Sequence, residues 1–219
     1  MNYFLFTLVF VFLISGTALA YSPIVSEVKR PYDIISLEEK PEAKQEYLGE
    51  LLDYPVMYEI TSEESFTLKA EVSQLYVSGS LPVPFSLIMV RKNDRGGGVT
   101  EVARLKADDV NWVTKKDPVL GLNFWYGESL SREVEAGTYR IEISTVDNSG
   151  KYLITFGQEE QSVGYLQMLS NIRNTQKFFG FSVFKMLMSS YVYYMLGVIL
   201  LVFVIYQTWR NRKLLAHVK

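Results

Sequence analysis

From Met186 to Tyr206 the chain carries no charged side chain and is rich in Leu, Val and Ile. Coiled as a helix at about 1.5 Å per residue, this run reaches roughly 30 Å, the thickness of a bilayer's hydrocarbon core. Tyr191, Tyr193 and Tyr194 near its start and Trp209 just past its end suit the two interfacial belts that aromatic rings favour. Arg210, Arg212 and Lys213 follow at once, a stop-transfer pattern that puts the C-terminus in the cytoplasm. Lys185, just before the run, would snorkel toward the outer interface. A buried core helix is the alternative, and so long an uncharged run argues against it. The spacing therefore predicts a transmembrane helix over 185–207 and a basic cytoplasmic tail over 208–219. Gly197 has no small partner four residues away, so no dimerisation motif is read.

Residues 3–15 form a second, shorter apolar stretch, and Ala18-Leu19-Ala20 follows it. Small residues at both recognition positions predict a signal peptide over 1–20, cleaved after Ala20. An uncleaved N-terminal anchor is the alternative, for which the run is short. Removing signal and span leaves roughly 160 residues, enough for one domain with a core of its own.

Charge divides the chain. All 24 acidic residues lie between Glu27 and Glu160, against 15 Lys and Arg, a net −9. Residues 161–219 hold 7 basic residues and no acidic one. An acidic domain repels phosphate, which argues against a nucleic-acid partner, and a cationic end suits anionic lipid. There is no cysteine, so disulfides, thiolate metal sites and cysteine nucleophiles are excluded. An exported domain of this kind depends on its hydrophobic core. No Asn-x-Ser/Thr sequon occurs either, and the two absences together fit a bacterial surface.

Between residues 44 and 157 the dominant period is two. Phe66, Leu68, Ala70 and Val72 alternate with Thr67, Lys69 and Glu71; Tyr139, Ile141 and Ile143 alternate with Arg140 and Glu142; Tyr152, Ile154 and Phe156 follow the turn Asp147-Asn148-Ser149-Gly150. Such alternation marks half-buried strands. Further strands are expected at 47–51, 56–61, 85–91, 101–105, 110–113 and 129–134. Turn residues separate them, notably the stretch from Asn93 to Gly98 and Glu135-Ala136-Gly137. The expected fold is mainly β, an antiparallel jelly-roll-like β-sandwich over 44–160 with a C-terminal juxtamembrane helix and one transmembrane helix. Residues 21–43, with Pro23, Pro31 and Pro41 and no clear period, read as an extended lead. Val163, Leu166, Leu169 and Ile172 recur at near-helical spacing, which predicts an amphipathic helix over 161–184, lying on the outer leaflet or serving as a stalk.

Gly49-Glu50-Leu51, the run from Pro55 to Ile60 and Phe66-Thr67-Leu68 resemble the opening strands of bacterial pre-peptidase C-terminal-like domains. The run from Val134 to Ile143, with its Ala136-Gly137-Thr138-Tyr139 turn, and Gly150-Lys151-Tyr152-Leu153-Ile154 resemble that family's closing strands. The resemblance covers roughly half the chain. The layout is also similar to that of small bacterial proteins with such a domain, one span and a basic tail. It implies a jelly-roll fold and a binding or accessory role beside exported proteins, although no peptidase domain is attached here.

Candidate chemistry is sparse. The one histidine, His217, lies beyond the span and cannot join a catalytic triad in the domain. Glu38-Glu39, Glu63-Glu64 and Asp108-Asp109 are adjacent pairs, and strand neighbours point to opposite faces. Gly96-Gly97-Gly98 lacks the Lys-Ser/Thr of a phosphate loop. No catalytic residue, metal ligand or cofactor is therefore expected. Ca²⁺ is the exception to weigh, because Asp108, Asp109, Asp117 and Asp147 fall in turn-like sequence and some members of the resembling family bind calcium; their spacing matches no known loop. Trp112, Trp125 and Tyr126 could stack on a sugar or grip a protein, or could be core and rim packing.

The reading that follows is a membrane-anchored interaction module, not an enzyme, with the lipid bilayer and a protein or cell-envelope glycan as partners. An accessory subunit capping a membrane complex is the alternative. A sorting-transpeptidase substrate is less favoured, since no Leu-Pro-x-Thr-Gly or Pro-Glu-Pro motif precedes the span.

Overall fold

The computed structural model describes residues 18–19, 23–26, 28, 30–37, 40–93, 97–160 and 162–216, with side chains for all but 18–19 and 212–216. In chain order the strands are β1 (Ala18–Leu19), β2 (Pro23–Val25), β3 (Ile34–Ser36), β4 (Gln45–Leu52), β5 (Val56–Ser62), β6 (Phe66–Leu75), β7 (Ser86–Lys92) and β8 (Val99–Leu105). A 3-10 turn at Ala107–Asp109 precedes β9 (Val113–Asp117), β10 (Leu122–Tyr126), β11 (Leu130–Val134), β12 (Gly137–Ser144), β13 (Ser149–Phe156) and β14 (Ser162–Val163). Helix α1 (Tyr165–Phe178), a 3-10 segment (Val183–Met188) and helix α2 (Ser190–Ala216) complete the chain.

Two sheets face each other. The larger runs β2-β4-β13-β6-β10-β9, with β11 also on β6; the smaller runs β3-β5-β12-β7-β8. Inward-facing residues of both sheets interleave in one core, with Tyr47, Phe66, Leu68, Tyr152 and Phe156 from the larger and Tyr58, Met89, Tyr139, Ile141 and Ile143 from the smaller. The alternate residues face outward, where Arg140 pairs with Glu59 at 2.7 Å and Thr61 meets Thr138 at 3.0 Å across the β5–β12 ladder. The result is a β-sandwich.

Hydroxyl groups that enter this core with the tyrosine rings are satisfied there. Tyr58 and Tyr152 share a hydrogen bond of 3.1 Å between the sheets, and the Ser26 hydroxyl stands 3.1 Å from Tyr58 and donates to the Leu48 carbonyl. Tyr139 donates to the Glu135 carbonyl at 2.9 Å, four residues upstream, in the manner of a tyrosine corner. An unpaired buried hydroxyl would destabilise the fold, so these bonds hold the turns and sheets in one arrangement.

The structure departs from the expected wholly antiparallel sandwich. The N-terminal lead adds a parallel edge strand to each sheet, β2 beside β4 and β3 beside β5, so both sheets are mixed. Three-residue strands are too short to show a period. The strand expected at 110–113 starts only at Val113, because the 3-10 turn occupies the preceding stretch. Most of the expected signal peptide lies outside the described residues; Ala18–Leu19 pairs antiparallel with Ser162–Val163.

Helix boundaries shift too. The juxtamembrane helix expected over 161–184 is α1, and it stops at Phe178. Gly180, at φ 83°, donates to the Lys177 carbonyl, and Phe181 donates to that of Gln176. This pair of bonds around a left-handed residue is a Schellman stop, and it turns the chain back. The span expected over 185–207 begins only at Ser190, because residues 183–188 are wound as the separate 3-10 segment. Helix α2 runs on to Ala216, so Arg210, Arg212 and Lys213 are helical; residues 217–219 lie outside the described ones.

Candidate membrane-proximal interface

Helix α1 rests on protein. Met168 and Ile172, one turn apart, are fully buried against Leu120, Leu122 and Phe124 of β10 and its preceding turn, and Phe179 meets the Phe124 ring edge-on at 5.5 Å. Burying each such side chain contributes about 1.5–3 kcal/mol. Polar ties fix the helix along the sheet. The Gln176 amide donates to the Leu120 carbonyl at 2.7 Å, and Lys151 donates to that of Phe178 at 3.0 Å. The face turned to the sandwich is therefore Met168, Ile172, Thr175 and Gln176, whereas Leu166 of the expected stripe points outward and is exposed.

After the Schellman turn the chain doubles back to the root of α2. Arg173 holds the Phe181 carbonyl at 3.0 Å, and the Met188 backbone lies against Gly121. The Ser190 amide donates to the Pro118 carbonyl at 2.8 Å, and the Tyr165 hydroxyl donates to the Tyr191 carbonyl at 3.0 Å. The first turn of α2 is therefore bound to the β9–β10 turn and to α1. The helix over Ser190–Asn211 is long and apolar enough to cross a membrane, and none of its most apolar stretch is buried in the protein. A soluble core helix would be covered, and this one is not.

The anchoring residues read from the sequence divide between two surroundings. Tyr191 packs on Tyr165, with ring centroids 6.4 Å apart, at the sandwich side of the root. Tyr193 and Tyr194 are exposed, their rings 4.4 Å apart. Lys185 stands over the Phe181 ring at 5.2 Å. Trp209 is half-buried and Arg210 exposed on the last turns of α2, where Arg212 and Lys213 also fall. Val183, Leu187 and Met188, which the sequence does not single out, are large, apolar and exposed. Leu187 and Met188 fall inside the uncharged run from Met186 to Tyr206, which hid the break at Ser189.

Trp112, Trp125 and Tyr126 are not gathered on one face. Trp112 packs edge-on against Phe85 beside the main core. Trp125 and Tyr126 are strand neighbours, so their side chains point to opposite faces of β10. Trp125 meets Tyr76 at 5.2 Å, next to a loop whose Leu81 is 90% exposed. Tyr126 joins the α1-side cluster, with Lys115 5.9 Å from its ring.

The outer side of the larger sheet holds a buried charged group. Glu46 pairs with Lys44 at 3.0 Å, and its Oε2 has no hydrogen-bond partner among the described residues. Burial pushes the Glu46 carboxyl up, against the pull of Lys44. Burial opposes the charge on Lys44 as well, but Glu46, Glu160 and Asp117 outweigh it and hold the ammonium up. Asp117 is raised by burial although it accepts from the Leu120 and Val119 amides, the bonds that shape the β9–β10 turn. Asp147 is held low by the Ser149 and Thr145 hydroxyls in the β12–β13 turn. Asp108 and Asp109 lie in the 3-10 turn after β8. Among the described residues no three Asp, Glu or His side chains come together to hold a metal ion. His217 lies outside them.

No family model matches the chain, and no curated protein matches it. Among solved structures it is similar to the pre-peptidase C-terminal domain of collagenase from Bacillus anthracis. The two share 13% identity at a TM-score of 0.34, over 59% of this chain and 98% of that one.

Proposed function

We propose that this protein is a non-catalytic interaction module, a sandwich of jelly-roll kind held outside the cytoplasm on the membrane by α2. The observation that carries the reading is the helix Ser190–Asn211, apolar, uncovered, and bound at its first turn to the sandwich. Arg210, Arg212 and Lys213 at its far end favour a cytoplasmic C-terminus. The non-catalytic reading is supported by the partners of the buried polar groups, since Glu46 is tied to Lys44, Asp117 to turn amides, and Tyr58 to Tyr152 and Ser26. The half-buried pair Trp125 and Tyr76 is the aromatic feature best suited to a protein or cell-envelope glycan.

The test is extraction and topology of the full chain in cells. Alkaline carbonate leaves it with the membranes, and protease added from outside digests the sandwich but spares the C-terminal end. Recovery of the whole chain in the soluble fraction, without detergent or lipid, overturns the reading. The intact mass of the mature chain reports whether residues 1–20 are removed and whether α2 is retained.

A further inference from the structure

We infer that the 3-10 segment Val183–Met188 is a second membrane contact, a foot seated in the headgroup layer of the same leaflet from which α2 enters the hydrocarbon. The inference rests on the reading of α2 as a span.

Within six residues the segment shows solvent four large apolar side chains, with Val183 57%, Phe184 76%, Leu187 50% and Met188 56% exposed. The sandwich had the opportunity to cover them, because both flanks of the segment are packed: Phe181 joins the α1-side cluster and Ser189 is fully buried. The turn keeps these four side chains outward instead. Their occupant follows from continuity. Met188 is two residues from Ser190, where the membrane-competent helix begins. A 3-10 winding rises about 2 Å per residue, so the whole segment spans roughly 12 Å. The headgroup region on each side of the hydrocarbon is about 5–8 Å deep. A segment that ends at the hydrocarbon boundary and is tied down by the Ser190–Pro118 bond therefore has the bilayer surface as its neighbour. Lys185, whose ammonium stands 5.2 Å from the centre of the Phe181 ring, then places that charge at the depth of the lipid phosphates.

The chain has no cysteine, so single labels can be placed without removing one. Full-length Phe184→Cys, Leu187→Cys, Val204→Cys and Ser78→Cys, each carrying a nitroxide, are reconstituted in vesicles of equimolar phosphatidylcholine and phosphatidylglycerol. All four positions are exposed, so the labels leave the core intact. Collision with oxygen, which concentrates in lipid, is compared with collision with a water-soluble nickel chelate. The foot predicts that labels at 184 and 187 show an oxygen-to-nickel ratio several-fold above that at 78 and below that at 204. Labels at 184 and 187 that match position 78, while 204 stays in lipid, overturn the foot and leave the span standing. A label at 204 that matches position 78 removes the span, and the foot with it.

Discussion

Tyr152 lies across Gly49 in the β4–β13 ladder: the two are direct partners, and the phenol ring fills the space that a Cβ on Gly49 would need. From there the hydroxyl reaches Tyr58 on the opposite sheet. A methyl group at 49 must displace the ring and with it the bond between sheets. Gly49→Ala is expected to lower stability by about 1–3 kcal/mol, the usual cost of overpacking. Thermal unfolding of the full chain in detergent, followed by near-ultraviolet circular dichroism, measures it; an unchanged midpoint contradicts the packing described.

Tyr139→Phe keeps the core ring and removes the bond to Glu135. The expected loss is about 1 kcal/mol. Tyr139→Ala removes the ring that packs edge-on to Phe66 and should cost about 3–5 kcal/mol. Equal losses in the two variants would mean that the hydroxyl, not the ring, holds the corner.

Alkaline pH should unfold the sandwich through its buried phenols. Burial pushes Tyr58 up to about 12, although hydrogen bonds with Ser26 and Tyr152 pull it down. The folded phenol thus keeps its proton where the unfolded one has begun to lose it. This contribution is complete below pH 10 and disappears as pH rises through 12. A shift of about 2 units corresponds to on the order of 3 kcal/mol. Tyr58→Phe should flatten the stability profile in that window, and an unchanged slope would refute the assignment.

Mild acid should act the other way. Glu46 and Asp117 both have carboxyls raised by burial, so the folded state binds protons that the unfolded state has released. Their contribution is full below the ordinary carboxylate range and is lost as pH rises through the folded values. Relative to Glu46→Gln and Asp117→Asn, the wild type should gain stability as pH falls from neutrality toward that range. Urea unfolding across the series reads the difference, and parallel curves would sink the claim.

The two tryptophans should separate stability from recognition. Trp112→Ala removes a ring packed on Phe85 and is expected to lower the unfolding midpoint. Trp125→Ala loosens a pair outside both cores, so its midpoint should move less. The reverse order would reassign Trp125 to the framework.

Strands with alternating sequence were legible, since β6 buries every second residue from Phe66 to Val72 and β12 from Tyr139 to Ile143, while β13 adds the buried Leu153 between Tyr152 and Ile154. β2 and β3 were not, because three residues show no period and their pairing is parallel and non-local. β10 was missed because its alternation of Leu122, Phe124 and Tyr126 is directed at α1, an element far along the chain. The same non-locality hid where α1 docks: the spacing of Met168 and Ile172 indicates a face, but not what covers it. Burial of Glu46 was illegible for the same reason.

The tie between Ser190 and Pro118 has a mechanical consequence. Anchored as proposed, the sandwich has no swivel. Each residue advances an α-helix by about 100° around its axis. A neighbour that grips one stripe of α2 within the lipid thereby dictates which flank of the sandwich it meets outside. A single residue inserted after Tyr191 would rotate that choice by more than a quarter turn.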